Sequence, residues 1–505
     1  MAVTLKFEID DVDPAFLTPF SIKGTEALST LYTFDVSCTA ESDRLLGTDI
    51  MGRRAVLTLV PDNGGAARTM PGIVSRLDIL PPTSRSEVHY RIQIQPWLSR
   101  LTLSRHNHVF GTDSPVAATD VIERELKGAA RKGSLADEAG PRNMQHEMRL
   151  TKKYPTFNQI LQYEETNFAF VSRLAEHWGL YYYFEVSSGV EKVVFVDANI
   201  SMPLLEHGHL LEWQPFIAGT NVTVSDTIFG LDARYEPVSA RIFLRDYNEK
   251  LPHVPLVVSH PIDPASHGHW VEYGLHYRTP SEGEFLAKVR SEEQLCRRVR
   301  FTGRSTAPGL APGRVFTLAG HPYRAWNQRY LLVSVTHSAR VDHPAIAAAN
   351  NEPGYANEFT AIPLDVQFRP ERVTPKPRVD GLLNGRVEGP PKLPISHPSL
   401  DENGYYRVRL PTDMSDSPSG QASQWVRKAE PYGGPSNGMH FPLPVGTDVV
   451  VACVNGDPDR PVILGAVPAA DNQSVVHSNN QRLNRIQTRS GVQLTLADTP
   501  VPTIG

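Results

Sequence analysis

Apolar residues recur at every second position through most of the first hundred residues. In the stretch 89–97, Tyr90, Ile92 and Ile94 alternate with polar neighbours, the period of a strand with one buried face. Segments 31–40, 54–62, 71–80 and 88–98 repeat the pattern between Gly, Pro, Asn or Asp turns, which predicts a barrel or strongly curved sheet over 1–105. The period then changes. Ser114 and Pro115 suit a helix start, and Val121, Ile122 and Leu126 give it one apolar face over about 115–127. A second helix is predicted where Phe168, Val171, Leu174, Ala175 and Trp178 recur at three- and four-residue spacing before Gly179. It runs into the strand Leu180-Tyr181-Tyr182-Tyr183-Phe184. A third helix over 281–300 has Ser281 and Glu284 at capping-box spacing, with Phe285, Val289, Cys296 and Val299 as its stripe.

Strand patterns return on either side of that helix and stop at 370–381, a stretch with three prolines and little apolar content that reads as a semi-stiff linker. Five short strand signals follow within 382–470, with glycines at the corners. That count fits a small barrel, for which the OB-fold is the commonest five-stranded solution. The expected division is a first hub barrel at 1–105, an inserted helix and strand region at 106–225, and a second barrel at 226–370. The linker, the OB-fold at 382–470 and a polar neck at 471–505 complete it. The expected class is mainly β with a few α-helices.

Composition narrows the function classes. Fifty basic and 55 acidic residues are too balanced for a nucleic-acid groove or a membrane-binding face. No apolar run approaches the roughly 20 residues of a membrane span, and the N-terminus alternates like a strand instead of a signal peptide. Cys38, Cys296 and Cys453 form neither a close pair nor an even set, which suits synthesis in a reducing cytoplasm.

Candidate chemistry is sparse. Asp457 and Asp459 in the turn Gly456-Asp457-Pro458-Asp459-Arg460-Pro461 could act as paired acids or hold a cation. Turn chemistry accounts for the same residues: a positive φ at Gly456, Asp457 and Pro458 at the first two turn positions, and Arg460 bonding back to a carboxylate. The histidine pairs His106/His108, His207/His209 and His267/His269 could place two rings on one strand face, but no third ligand accompanies them. The tyrosines at 181–183 could stack on sugars or bases, although such a strand more commonly has one core face and one subunit contact. The basic run at 297–300 complements the C-terminal end of the third helix. No nucleophile elbow, Walker loop, dinucleotide fingerprint or zincin helix is present, so no catalytic, cofactor or metal site is nominated.

The order of segments carries more than any one motif. The run Gln162 to Leu174 and the turn Gly456 to Pro461, with 404–411, 425–467 and 488–496, resemble the VgrG spike proteins of bacterial type VI secretion systems, which are similar to contractile-phage baseplate hubs and tail spikes. The resemblance implies a non-enzymatic homotrimer that caps the hexameric Hcp tube, adapts it to a threefold needle and punctures target membranes. Implied partners are Hcp, baseplate components and, on a complete needle, a PAAR tip protein and effectors, with no nucleic acid or stable membrane insertion. It implies assembly in the cytoplasm and export without a leader. The matching OB-fold residues are Gly404, Arg407, Trp425, Arg427, Gly446, Gly456, Asp457, Pro458, Asp459, Arg460, Pro461 and Gly465. Those of the hub motif are Tyr163, Glu165, Phe168, Phe170, Val171, Arg173, Leu174, Gly179, Tyr181 and Tyr182. The turn is expected at a barrel corner facing the needle or a neighbouring subunit. Ala452 and Asn455 stand where the family commonly has acids, and the family's needle continues beyond this chain's last residue, which predicts a truncated needle. A tail hub of a phage or phage-derived injection particle is the alternative reading, and a spike-fused hydrolase a further one.

Overall fold

A computed structural model describes residues 2–504, apart from 42–44, 46, 63, 85–86, 113, 129–143, 188, 207, 216–226, 342–353, 395–396, 416 and 499–502. Among these, twelve strands form one hydrogen-bonded sheet that curls into two barrels. The first has the order Val3–Ile9, Arg54–Pro61, Arg68–Ser84, Glu87–Gln95, Thr33–Ala40, Thr18–Ala27. Its first and last strands touch across a seam without a ladder. Alternation makes the interior: Phe34, Val36, Leu57, Ile92 and Ile94 are fully buried.

The second barrel closes completely. Arg329–Arg340 pairs with Val315–Ala319, then come Leu210–Trp213, Thr227–Tyr235, Val299–Ser305 and Gly354–Pro363, which pairs back onto Arg329–Arg340. Leu210–Trp213 therefore crosses the boundary expected near 225. The two barrels are fused edge to edge, from Ser21 opposite Arg340 to Ala27 opposite Ser334.

A layer of helices and small sheets packs beside the barrels. Its helices are α2 (Ala118–Lys127), α3 (Asn167–Trp178) and α4 (Pro280–Leu295); the four-residue α1 (Gly47–Ile50) belongs to the first barrel. The helix starts differ from the sequence expectation. Val116–Ala117 is drawn into a strand pair with Thr156–Phe157, so α2 begins after Ala117, whose N–H donates to Asp120. For α4, Thr279 replaces Ser281 as the cap, its Oγ1 accepting from Glu282 N at 3.2 Å with Pro280 in the first turn. The helix ends at Leu295, because Val299 already belongs to the next barrel strand. The sheet of Arg241–Asp246, Leu256–Pro261 and His269–Tyr273 shares the core of α3 and α4 instead of joining the second barrel.

The tyrosine strand Tyr181–Ser187 also departs from expectation. Tyr182 packs into the helical core, while Tyr181 and Tyr183 face a separate cluster with Val194, Leu331 and Ile362. Both faces are consumed inside the chain, so this part of the strand has no face left for a subunit. Residues 370–381 contain no helix or strand. Beyond them a five-stranded OB barrel has the order Arg407–Arg409, Leu383–Glu388, Asp448–Cys453, Pro461–Ala466, Arg427–Lys428. The chain is thus mainly β with a few helices.

Each large barrel contains the same close approach. Gly24 lies opposite Phe34 and Gly303 opposite Phe359, and in both the phenyl ring lies where a glycine side chain would begin. Gly24→Ala and Gly303→Ala are each expected to lower stability by about 1–3 kcal/mol through overpacking, read from denaturant midpoints.

Candidate functional site

The acidic turn is built as the sequence suggests and placed where it does not. Asn455 and Gly456 have φ of 56° and 71°, Arg460 N donates to Asp457 O at 2.9 Å, and Asp459 N donates to Asp457 Oδ1 at 2.9 Å. Asp457 and Pro458 thus take the first two turn positions. The turn faces the body and linker of its own chain, not a needle or neighbour, because three of its side chains find partners there.

Leu161 N donates to Asp459 Oδ1 at 2.7 Å. Lys376 Nζ lies 2.6 Å from Asp457 Oδ1 and 2.7 Å from Asp459 Oδ2. Arg460 reaches Asp246 at 2.6 Å instead of an acid in the turn, and the other oxygen of Asp246 accepts from His276 N. Gln159 links the two sides: its amide donates to Pro458 O at 3.4 Å and accepts from Gln424 N at 3.0 Å.

The hub motif sets the receiving surface. A register break between Gln162 and Glu165, with Glu164 at φ 45°, turns Glu165 inward from the strand Ile160–Thr166. There Arg173 of α3 holds it with a forked contact of 2.7–3.0 Å and donates to Leu161 O at 2.8 Å. Glu165, Arg173, Leu161, Asp459, Lys376 and Asp457 form one polar chain across the joint. The linker is a strap on this surface: Arg369 pairs with Glu292, Arg372 with Glu272, Thr374 with Glu176, and Val379 N with Gly456 O.

The other predicted hub residues support it from behind. Phe170 stacks on Phe110 at 5.6 Å, Val171 and Leu174 are core, Phe168 is half-buried, and Gly179 ends α3 at φ 72°. Tyr181 and Tyr182 are enclosed, while Tyr163 is half-buried. In the OB barrel, Arg407 lies over Trp425 at 4.7 Å, Arg427 and Pro461 sit in paired strands, Gly465 flanks a bulge, and Gly404 and Gly446 form turns. Pro461 closes the turn at the joint, and the others stand apart from it.

Electrostatics tie the joint to pH. Burial opposes ionisation of Asp457, but Lys376 and His276 outweigh it and draw the carboxyl down to about 2. Burial also opposes the charge on Lys376, which the two aspartates nonetheless raise. His177 titrates well below its usual range through burial, then Arg290 and Lys376; His276 is lowered by burial and Lys376. His276, Asp457 and Asp459 offer ligand atoms within 4.8 Å of one another, a metal-like grouping. The Lys376 ammonium stands between the carboxylates, so the chain supplies its own cation. Of the histidine pairs, His108 packs on Phe110 and His269 on Phe243, and His207 lies outside the described residues. Sequence reasoning missed Leu161, Asp246, His276 and Lys376; a lysine between Pro375 and Pro377 was the one local hint.

The match to known proteins follows this geometry. Residues 25–343 match the model for the phage tail baseplate hub (GPD), and residues 399–468 that for the type VI secretion system/phage-baseplate injector OB domain. The chain belongs to the phage tail baseplate hub family. It is 27% identical over 90% of its length to type VI secretion system spike protein VgrG5 of Pseudomonas aeruginosa and 25% identical over 92% to actin cross-linking toxin VgrG1 of Vibrio cholerae. It spans 56% and 42% of those two proteins. In fold it is similar to the E. coli c3393 protein, a type VI secretion component with structural similarity to phage T4 gp27 and gp5 (TM-score 0.65, 22% identity, 92% of this chain and all of that one). It is also similar to a chain of the Francisella PdpA-VgrG complex (TM-score 0.62, 10% identity, all of this chain and 88% of that one).

Two outcomes test the joint. Asp459→Ala is expected to cost roughly 1–3 kcal/mol and to speed protease cleavage within 370–381, while Asp459→Asn, which keeps an acceptor for Leu161 N, costs less. Acid should loosen the joint in two stages. The unfolded histidines take up protons below about 6.5 while buried His177 and His276 resist, so stability falls from there. The contribution of ionised Asp457 is present above its ordinary value of 3.8 and is lost as pH falls toward about 2. Glu165 and Glu176, raised by burial, offset part of the loss. Hydrogen exchange of the strap and of the Leu161 amide at successive pH values reads both stages.

Proposed function

We propose that this chain is the body and OB-fold of a type VI secretion spike, a structural part without catalysis of its own. The observation that carries the reading is an uncovered sheet. The strands Leu483–Gln487, Gln493–Ala497 and Thr503–Ile504 pair with one another, and Ile486, Leu494 and Leu496 share one face at 47%, 47% and 43% exposure. A lone sheet of this size is marginal without a covering layer. Identical sheets around a threefold axis supply that layer, as a needle does.

In such a trimer, two fused barrels per chain give six barrels around the axis, matching a sixfold Hcp tube, while the OB-folds taper to the needle. The domain division follows: barrels and inserted layer to about 370, strap, OB-fold over 382–470, then neck. The turn Gly456–Pro461 and the run Tyr163–Leu174 act as the internal coupling between hub and OB-fold. Hcp, baseplate components and, on a full needle, a PAAR tip and effectors are the partners. Assembly in the cytoplasm followed by delivery out of the cell fits this role. Among the described residues no helix is long and apolar enough to cross a membrane. The same architecture serves a phage tail hub, which genomic neighbours would distinguish.

Light scattering on the size-exclusion peak tests the assembly. A mass of three chains held across about a tenfold dilution is expected, and Leu494→Asp should shift it toward the monomer. A monomer at every concentration would sink the proposal that body, OB-fold and short neck suffice to assemble.

A further inference from the structure

Arg314 is a buried cation without a counter-ion. It precedes the strand Val315–Ala319, is 8% exposed, and its enclosed Nη1 has no hydrogen-bond partner. Its guanidinium carbon lies 5.2 Å from the centre of the Tyr183 ring, and no ion pair reaches it among the described residues. Other buried arginines differ. Arg173 pairs with Glu165, Arg290 with Glu293, and Arg369 with Glu292.

A guanidinium stays protonated at any ordinary pH, so enclosing it unpaired is unfavourable until something anionic or strongly polar meets it. Arg314 lines a cavity of about 270 Å³ between the two barrels and the helical layer. Phe34, Met70, Phe184, Leu205 and Leu211 supply apolar walls. Two of the three carboxyls on those walls are engaged by other groups. Glu26 is held by Arg68 and His337. Glu191 accepts from the Tyr32 hydroxyl and from Trp97 N, and burial raises it to about 7. Glu206 is exposed and forms no ion pair with Arg314.

We propose that this cavity binds a carboxylate with an apolar body, its headgroup on Arg314 and its body against the phenylalanine and leucine walls. A carboxylate matches the planar fork of a guanidinium and can pair with Arg314, which no side chain of the cavity does. The cavity admits a short-chain acid or the last residues of a polypeptide bearing a free carboxyl terminus.

Calorimetric titration of the full chain with hexanoate, and with hexanamide as its neutral match, tests the site. Hexanoate should bind in the millimolar range and raise the melting temperature, and hexanamide should do neither. Arg314→Met should weaken hexanoate by about tenfold or more, with Arg314→Lys intermediate because it keeps the charge and loses the fork. A peptide acetyl-Leu-Leu-Phe with a free carboxyl terminus, set against its amide, separates the sources. Binding about tenfold tighter than hexanoate assigns a polypeptide terminus, and equal or weaker binding assigns a free acid. Equal affinity for acid and amide, no binding of the acid at about 10 mM, or an unaffected Arg314→Met variant would overturn the site. Should that variant fail to fold, the acid and amide comparison on the unaltered chain decides alone.

Discussion

The joint between body and OB-fold rests on the Asp459 carboxylate. A carboxylate removed from water is costly unless each oxygen is met. One oxygen takes the Leu161 amide, the other the Lys376 ammonium, and the Leu161 carbonyl is fixed in turn by Arg173 on Glu165. Each member holds the next in position, so losing one strands a buried charge on its neighbour. Such a chain favours one arrangement of the two parts over a continuum of angles. Rigid coupling of the two parts is what the proposed spike role requires.

The strap makes that arrangement inexpensive in entropy. Pro375 and Pro377 flank Lys376 and restrict its backbone before the ion pairs form, so less freedom is lost on docking. A basic, proline-rich stretch read from composition alone is a spacer. Here Arg369, Arg372 and Lys376 meet Glu292, Glu272 and the two aspartates, and the spacer becomes adhesive. Length and stiffness were legible in the sequence; the acids waiting on the body were not, since they come from α4, the small sheet beside it and the OB turn.

The same distinction runs through the rest of the molecule. Strand alternation in 89–97, the apolar stripe of α3 and the turn chemistry of Gly456 to Arg460 are local, and the sequence displays them. Helix starts were misjudged by a few residues because competing partners decide them: Thr279 outbid Ser281, and pairing with Thr156–Phe157 held Val116–Ala117 extended. The tyrosine strand was misassigned because its second face is covered by a core assembled from residues more than a hundred positions away, such as Leu331 and Ile362. Arg314 gave no signal at all: a single arginine after a Gly-Pro-rich loop looks solvated until the two barrels close around it.

The barrels themselves explain how two similar units can escape notice as a repeat. Interior positions accept almost any apolar residue of suitable volume, so their sequences can drift apart. A glycine beneath a phenyl ring is less replaceable, and it persists in both barrels as Gly24 with Phe34 and Gly303 with Phe359. The barrels nevertheless differ at one point that matters. The first keeps an open seam, which leaves one edge of Thr18–Ala27 free to pair outward. That edge joins Ser334–Arg340, while Arg329–Leu331 of the same long strand pairs within the second barrel. One strand therefore belongs to both barrels, and their spacing is fixed by backbone hydrogen bonds instead of side-chain contacts that could slide. Full closure of the first barrel would remove the edge that makes this possible.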